Sequence, residues 1–256
     1  MGYELKHVQN RLVEMAIIIE DIFNRNNVPH SIINGTLLGA VRHGGFIPWD
    51  DDFDFCVFNE YYDVALTCLR RELPDWLFLE DEKSEPRYFH AWAHVKDLKT
   101  IARCDHYIQD NYYSHHGLSI DLYRLEKVVL GEQYCRKEDE FFKYIVRRQA
   151  LGLLDYKEMQ KKLEQLKWCT QMFFEFDLMK ESLSSINRAV YADLYITNRC
   201  FEIDDLFPLK KIKFENTEFF GPNDPDAVLT KSFGEYMTLP PEEERILHYS
   251  NVEFLE

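Results

Sequence analysis

The stretch Ile47-Pro48-Trp49-Asp50-Asp51-Asp52-Phe53-Asp54-Phe55 sets four carboxylates and two phenylalanines in six consecutive positions, 50 to 55. Side chains alternate across a strand. A strand over 52–58 therefore points Asp52 and Asp54 to one face and Phe53 and Phe55 to the other, where they can enter a core. The two carboxylates then lie roughly 7 Å apart along the strand and can converge on one cation. Asp50 shares their face if the strand begins early, but Pro48 argues that regular pairing starts later. Like charges this close repel unless a cation neutralises them. All-oxygen ligands favour Mg²⁺ or Mn²⁺, and Mg²⁺ commonly bridges one or two carboxylates to substrate phosphates. The competing explanation of the same residues is a solvated acidic turn before a strand.

The neighbouring segments shift the balance toward the cation site. Upstream, apolar residues from Leu5 to Phe23 recur at spacings of three and four, which predicts a helix ending near Asn26-Asn27. His30 to Asn34 reads as a short strand and Leu37 to Arg42 as the start of a helix, with Gly35-Thr36 as the turn between them. Backbone N–H groups at such a turn can hold phosphate oxygens. Downstream, Tyr61 to Leu73 reads as a helix. Trp76 to Leu79, Phe89 to Lys96, Thr100 to Arg103 and Leu118 to Leu125 read as strands. The last of these holds Asp121 among Leu118, Ile120 and Leu122, and a carboxylate in apolar surroundings needs a partner, a metal being one. From Arg136 to Tyr195 the pattern turns helical. Phe207 to Phe220 reads as two short strands, and Pro222-Asn223-Asp224-Pro225 as a cap for a helix running to about Phe233.

Composition narrows the partners. The 256 residues carry a formal net charge of −15, which disfavours phosphate backbones and anionic membrane surfaces. No nucleic-acid partner is expected, and any phosphorylated ligand must meet a local basic pocket or a metal ion. The longest apolar run near the start, Met15 to Ile19, is far too short to span a membrane. The six scattered cysteines form no CxxC pair and fit reduced thiols, so a cytoplasmic protein is expected.

Strand, Gly-Thr turn, helix, Asp-Phe-Asp strand and a later strand aspartate together resemble the nucleotidyltransferase superfamily. The longer string from Asn34-Gly35-Thr36-Leu37-Leu38-Gly39 through Arg42-His43-Gly44-Gly45-Phe46 to Trp49-Asp50-Asp51-Asp52-Phe53-Asp54 resembles the LicD family more specifically. That family includes bacterial phosphocholine transferases and is related to fukutin and fukutin-related protein. Lys96-Asp97-Leu98-Lys99-Thr100, Phe207-Pro208-Leu209-Lys210-Lys211, and Phe233-Gly234-Glu235-Tyr236 through Pro240-Pro241 extend the likeness. The stretch from about 136 to 200 carries no recognised motif.

The resemblance implies an α/β (α+β) fold, a nucleotidyltransferase-like mixed sheet with flanking helices, and the helical pattern after residue 136 adds a helical subdomain to it. The expected divisions are a catalytic core over 1–130, the helical subdomain over 131–205, and C-terminal strands and helix over 206–256 packing back on the core. It also implies transfer of a phospho-alcohol from a CDP-activated donor, CDP-choline first, to a sugar hydroxyl of a glycan or glycolipid precursor, with release of CMP. Asp52 and Asp54 would hold the metal ion, with Asp50 as a further ligand. Asp121 would complete the set or accept the proton. Gly35, Thr36, Arg42 and Lys96 would contact the donor; for Arg42 the competing expectation is a structural pairing with the aspartates. Where the family commonly has a basic residue, this chain has Gly45. Tyr88, Trp92, Tyr112 and Tyr113 could form a cage for a choline group, or simply pack in a core. Other CDP-linked polyol phosphates (ribitol, glycerol), nucleotidyl transfer to a small acceptor, and a catalytically inactive nucleotide- or sugar-binding module remain the alternatives.

Overall fold

A computed structural model describes residues 3–85, 88, 90, 92–104, 113–128, 155, 157–158, 161–162, 190–193 and 199–255. Helix α1 (Leu5–Arg25) buries Val8, Leu12, Met15, Ala16, Ile19, Ile22 and Phe23 along one stripe, the face that its three-and-four spacing demands. It packs on α3 (Asn59–Glu72) and on strand β6 (Ser119–Val128). Between α1 and α3 the chain forms β1 (His30–Ile32), α2 (Asn34–His43) and β2 (Asp54–Phe58). Strands β3 (Leu77–Glu80), β4 (Ala93–Asp97) and β5 (Thr100–Arg103) follow.

The main sheet runs β1-β2-β6-β4-β3. The β2–β6 pair is parallel, while β1–β2, β4–β6 and β3–β4 are antiparallel. This mixed sheet with flanking helices is the expected fold class. Strand β6 outruns its neighbours, and its second half pairs with β7 (Val190–Asp193), which pairs in turn with β8 (Arg199–Glu202). Most of the 131–205 region lies outside the described residues, but β7 and β8 correct the helical expectation within it. An extended β6 offers backbone groups that a strand can satisfy and a helix cannot.

After β8 come α4 (Ile203–Leu206), the β9 (Lys210–Phe214) and β10 (Thr217–Gly221) hairpin, α5 (Pro225–Phe233) and β11 (Asn251–Phe254). The α5 cap is as expected: the Asp224 carboxylate accepts the Ala227 N–H at 3.0 Å, with proline in the first turn. Phe214 and Phe219 of the hairpin meet Phe53 at centroid distances of 5.3 and 5.2 Å. Phe53 and Phe55 are thus in the core, on the side opposite the acids. Strand β11 pairs antiparallel with β5 and so brings the C-terminal segment back beside the acidic strand. Among the described residues, no helix is long and apolar enough to cross a membrane.

Candidate active site

The acidic segment enters the sheet later than its alternation suggested, with β2 starting at Asp54 instead of Asp52. Residues 50–52 are instead tied down by side chains. Gln9 of α1 donates to the Asp50 carbonyl at 2.9 Å, and the Asp51 carboxylate takes bonds from the C-terminal segment. Helix α2 likewise begins at Asn34, one turn before the expected Leu37, with Asn34 in the left-handed region at φ 51°, a conformation asparagine tolerates. Gly39 keeps α2 against the returning chain: a Cβ there would come 2.4 Å from the Gly45 carbonyl oxygen.

Gly35 and Thr36 therefore lie in the first turn of α2 and both serve Asp54. The Asp54 carboxylate accepts the Gly35 N–H, and the Asp54 N–H donates to Thr36 Oγ1 at 2.8 Å. Asp121 stands directly beside Asp54 in the parallel ladder. Its own N–H donates to the Phe53 carbonyl at 3.0 Å. Trp92 Nε1 and the Tyr123 hydroxyl donate to Asp121 Oδ2 at 3.1 and 3.0 Å.

The acids are close enough to perturb one another. Burial, and then the charge of Asp52, push Asp50 up to about 9, and the two side chains share a hydrogen bond. Asp54, 5% exposed, is held well above the usual carboxylate range by burial and then by Asp52, Asp121 and Asp50. A divalent ion placed among them would favour their charged forms.

Asp51 behaves in the opposite way. Burial alone would raise it, but bonds from the His248 side chain, the Tyr249 and His248 N–H groups and the Tyr3 hydroxyl hold it low. His248 in turn is raised to about 9, chiefly by its bond to Asp51 and against the pull of its own burial. Its Nδ1 faces Asp51 at 2.9 Å, and its Nε2 faces Asp52 Oδ2 at 3.5 Å. Ligand atoms of Asp50, Asp52 and His248 all lie within 4.8 Å of one another. Two carboxylates and one imidazole could hold a divalent ion, the oxygens favouring Mg²⁺ or Mn²⁺; of the four expected acids this group takes in Asp50 and Asp52 and not Asp54 or Asp121.

The cations lie to either side. Lys96 is buried in β4, with its ammonium 3.9 Å from Glu80. Arg42 does not pair with the aspartates in any described contact. It donates to the Tyr236 carbonyl at 2.7 Å and to His43 at 2.9 Å, linking α2 to the segment after α5. At Gly45 a Cβ would come 2.5 Å from Glu215 Oε1, so a side chain there would have to displace the Glu215 carboxylate. Of the aromatic set, Tyr88 and Tyr113 are buried and stacked on each other at 5.5 Å, so they pack instead of forming an open cage. Tyr112 lies outside the described residues. Trp92 contacts the site and also lines a neighbouring pocket of about 190 Å³ with Tyr62, His90 and Arg124.

Sequence reasoning missed Asp51, which alternation placed on the core face, and His248, which nothing near position 50 announces. It also missed Glu80 and His94, which only strand register brings to Asp121.

Residues 27–128 match the nucleotidyltransferase domain family described as LicD/FKTN/FKRP. The chain is similar to the lipopolysaccharide cholinephosphotransferase LicD of Haemophilus influenzae, 24% identical over 245 residues that cover 88% of each chain. It is also similar to an uncharacterized protein of Rickettsia typhi, 22% identical over 91% of this chain and 50% of that one. Over 40 residues, 16% of this chain and 15% of the other, it is 50% identical to an uncharacterized protein of Rickettsia prowazekii.

Proposed function

Because this chain belongs to the LicD family, we propose that it is a phosphotransferase acting on a CDP-linked alcohol. It moves the phospho-alcohol, phosphocholine from CDP-choline first, to a sugar hydroxyl of a cell-surface glycan or glycolipid precursor and releases CMP. The observation that carries this is the clustering of Asp50 and Asp54 with Asp52 and Asp121: burial, and then the neighbouring carboxylates, push Asp50 and Asp54 upward. Four acids crowded this way are costly to a fold and useful to a cation.

Asp52, Asp54 and Asp121, with Asp50 beside them, would hold Mg²⁺ or Mn²⁺. The ion would neutralise the donor diphosphate. Lys96 and Arg42 would supply positive charge for the donor, and the α2 N-terminus at Gly35-Thr36 faces Asp54. The acceptor oxygen attacks the distal phosphorus. A P–O bond forms as the bond to the CMP oxygen breaks, and CMP leaves with that electron pair. The acceptor proton passes to a carboxylate oxygen of the set. Correct placement of two negative partners is the main task. For choline, the pocket beside Trp92 adds aromatic faces and the acids Asp63, Asp81 and Glu82, a combination suited to a quaternary ammonium group.

Incubation with CDP-choline, a lipopolysaccharide acceptor and Mg²⁺ or Mn²⁺ should release CMP. CDP-ribitol and CDP-glycerol arms identify the alcohol, and pyrophosphate release from a nucleoside triphosphate would point to nucleotidyl transfer instead. Asp52→Ala or Asp54→Ala should abolish CMP release with the fold intact. Retained activity in both would refute the assignment.

A further inference from the structure

Strand register alone lines up Glu80, His94 and Asp121 across β3, β4 and β6. Glu80 is fully buried and His94 is 5% exposed. A buried acid and a buried imidazole are costly unless each is satisfied by its surroundings. His94 Nδ1 lies 3.2 Å from Glu80 Oε2, and His94 Nε2 lies 3.6 Å from Asp121 Oδ1. The ring is boxed in by aromatic neighbours, with His90 at 4.6 Å, Tyr88 at 5.7 Å and Trp92 at 6.2 Å between centroids. On the far oxygen of Asp121, Trp92 and Tyr123 already fill Oδ2 with two donors. Oδ1 is the oxygen that faces the imidazole and, at 3.5 Å, the Ser119 hydroxyl.

We infer that His94, itself held by Glu80, is a positioning residue that fixes the Asp121 carboxylate in the orientation the metal set uses. This rests on the placement of Asp121 in that set. A carboxylate can swing about its Cα–Cβ and Cβ–Cγ bonds, and a ligand that swings binds its ion poorly. Carboxylates around metal ions are accordingly held by outer partners, and loss of one costs roughly 10–100-fold in metal affinity or activity. Trp92 and Tyr123 hold Oδ2, and His94, itself anchored deeper in the sheet by Glu80, faces Oδ1.

Two substitutions separate positioning from plain core packing. His94→Gln sets an amide near the place of Nε2 and can still reach Asp121. His94→Asn sets its amide near the place of Nδ1 and reaches only toward Glu80. A residue that merely fills space would be equally disturbed by both. The expected result is that His94→Gln keeps kcat within roughly threefold of wild type, whereas His94→Asn loses roughly 10–100-fold in kcat with KM for the CDP-alcohol little changed. Mn²⁺ binding, followed by electron paramagnetic resonance, should fall in the same order without any turnover being needed, and the two variants should melt together. Equal Mn²⁺ affinity in all three proteins, or equal losses in the two variants, overturns the positioning role. If wild type releases no CMP yet Mn²⁺ affinity still follows this order, the transfer assignment falls and the positioning role stands. If wild type binds no Mn²⁺, both fall.

Discussion

One oxygen of Asp51 accepts both the backbone N–H of His248, at 2.8 Å, and its ring nitrogen Nδ1, at 2.9 Å. The other oxygen accepts the Tyr3 hydroxyl at 2.7 Å and the Tyr249 N–H at 3.0 Å. One carboxylate thereby ties the first residues of the chain and a segment 197 positions downstream to the acidic strand. The pairing of β11 with β5 and the stacking of Arg245 on Trp49, at 4.7 Å, hold the same segment on either side. His248 Nε2 is left facing Asp52.

Asp51→Ala should therefore be the most destabilising single change in the acidic segment. It strands two N–H groups, a hydroxyl and an imidazole around a fully buried carboxylate, and each buried polar group left unsatisfied costs about 1–3 kcal/mol. His248→Ala should cost less, because that side chain is half exposed and its loss leaves Asp51 three other donors. Urea unfolding of the two variants measures the difference, and equal losses would contradict the asymmetry.

Stability of the ion-free protein should fall as pH rises from about 6.5 to about 9. Asp50 moves from 3.8 to about 9 on folding, and His248 from 6.5 to about 9. Both bind more protons folded than unfolded across that window, so the folded state loses ground as pH rises through it. Asp54 acts in the same direction. Saturating Mg²⁺ or Mn²⁺ substitutes for the protons and should flatten the decline. Thermal melting between pH 6 and 9, with and without the ion, tests this; a flat ion-free profile would count against it.

Asp54→Asn should raise the melting temperature of the ion-free protein while abolishing turnover. It replaces a buried carboxyl, costly to ionise beside three other carboxylates, with a neutral amide whose oxygen still accepts the Gly35 N–H. The expected activity loss is about 10³-fold or more, the scale of several kcal/mol of charge stabilisation. Parallel melting and CMP-release assays read both effects, and a lowered melting temperature would show that the carboxylate is structurally required.

Phe53→Ala should cost about 3–5 kcal/mol, the usual range for a fully buried aromatic. Phe53 meets Phe46, Phe55, Phe214 and Phe219, so its loss should also loosen the β9–β10 hairpin. Hydrogen exchange at Ile212 and Phe219 would report that loosening, and unchanged protection there would place the hairpin's anchor elsewhere.

Lys96→Gln should raise KM for the CDP-alcohol by roughly 10–100-fold, the worth of a charge-assisted hydrogen bond, with a smaller effect on kcat. Steady-state kinetics at saturating metal ion separate the two, and an unchanged KM would remove Lys96 from the donor site.

Local pattern carried a good deal of this protein. The α1 stripe, the Asp224 cap and the burial of Phe53 and Phe55 follow from spacing and residue type, because periodicity and capping depend on near neighbours in the chain. Asp52, Asp54 and Asp121 were legible as acids beside apolar strand positions, for the same reason. Tertiary structure decided the rest. It set Asp54 beside Asp121 and Asp121 beside His94 through strand register, began β2 at Asp54 because Asp51 was claimed by His248 and Tyr249, and turned Arg42 toward Tyr236. Those outcomes hang on which distant backbone and side-chain groups compete for the same hydrogen bonds, and that competition is settled only when the whole chain has packed.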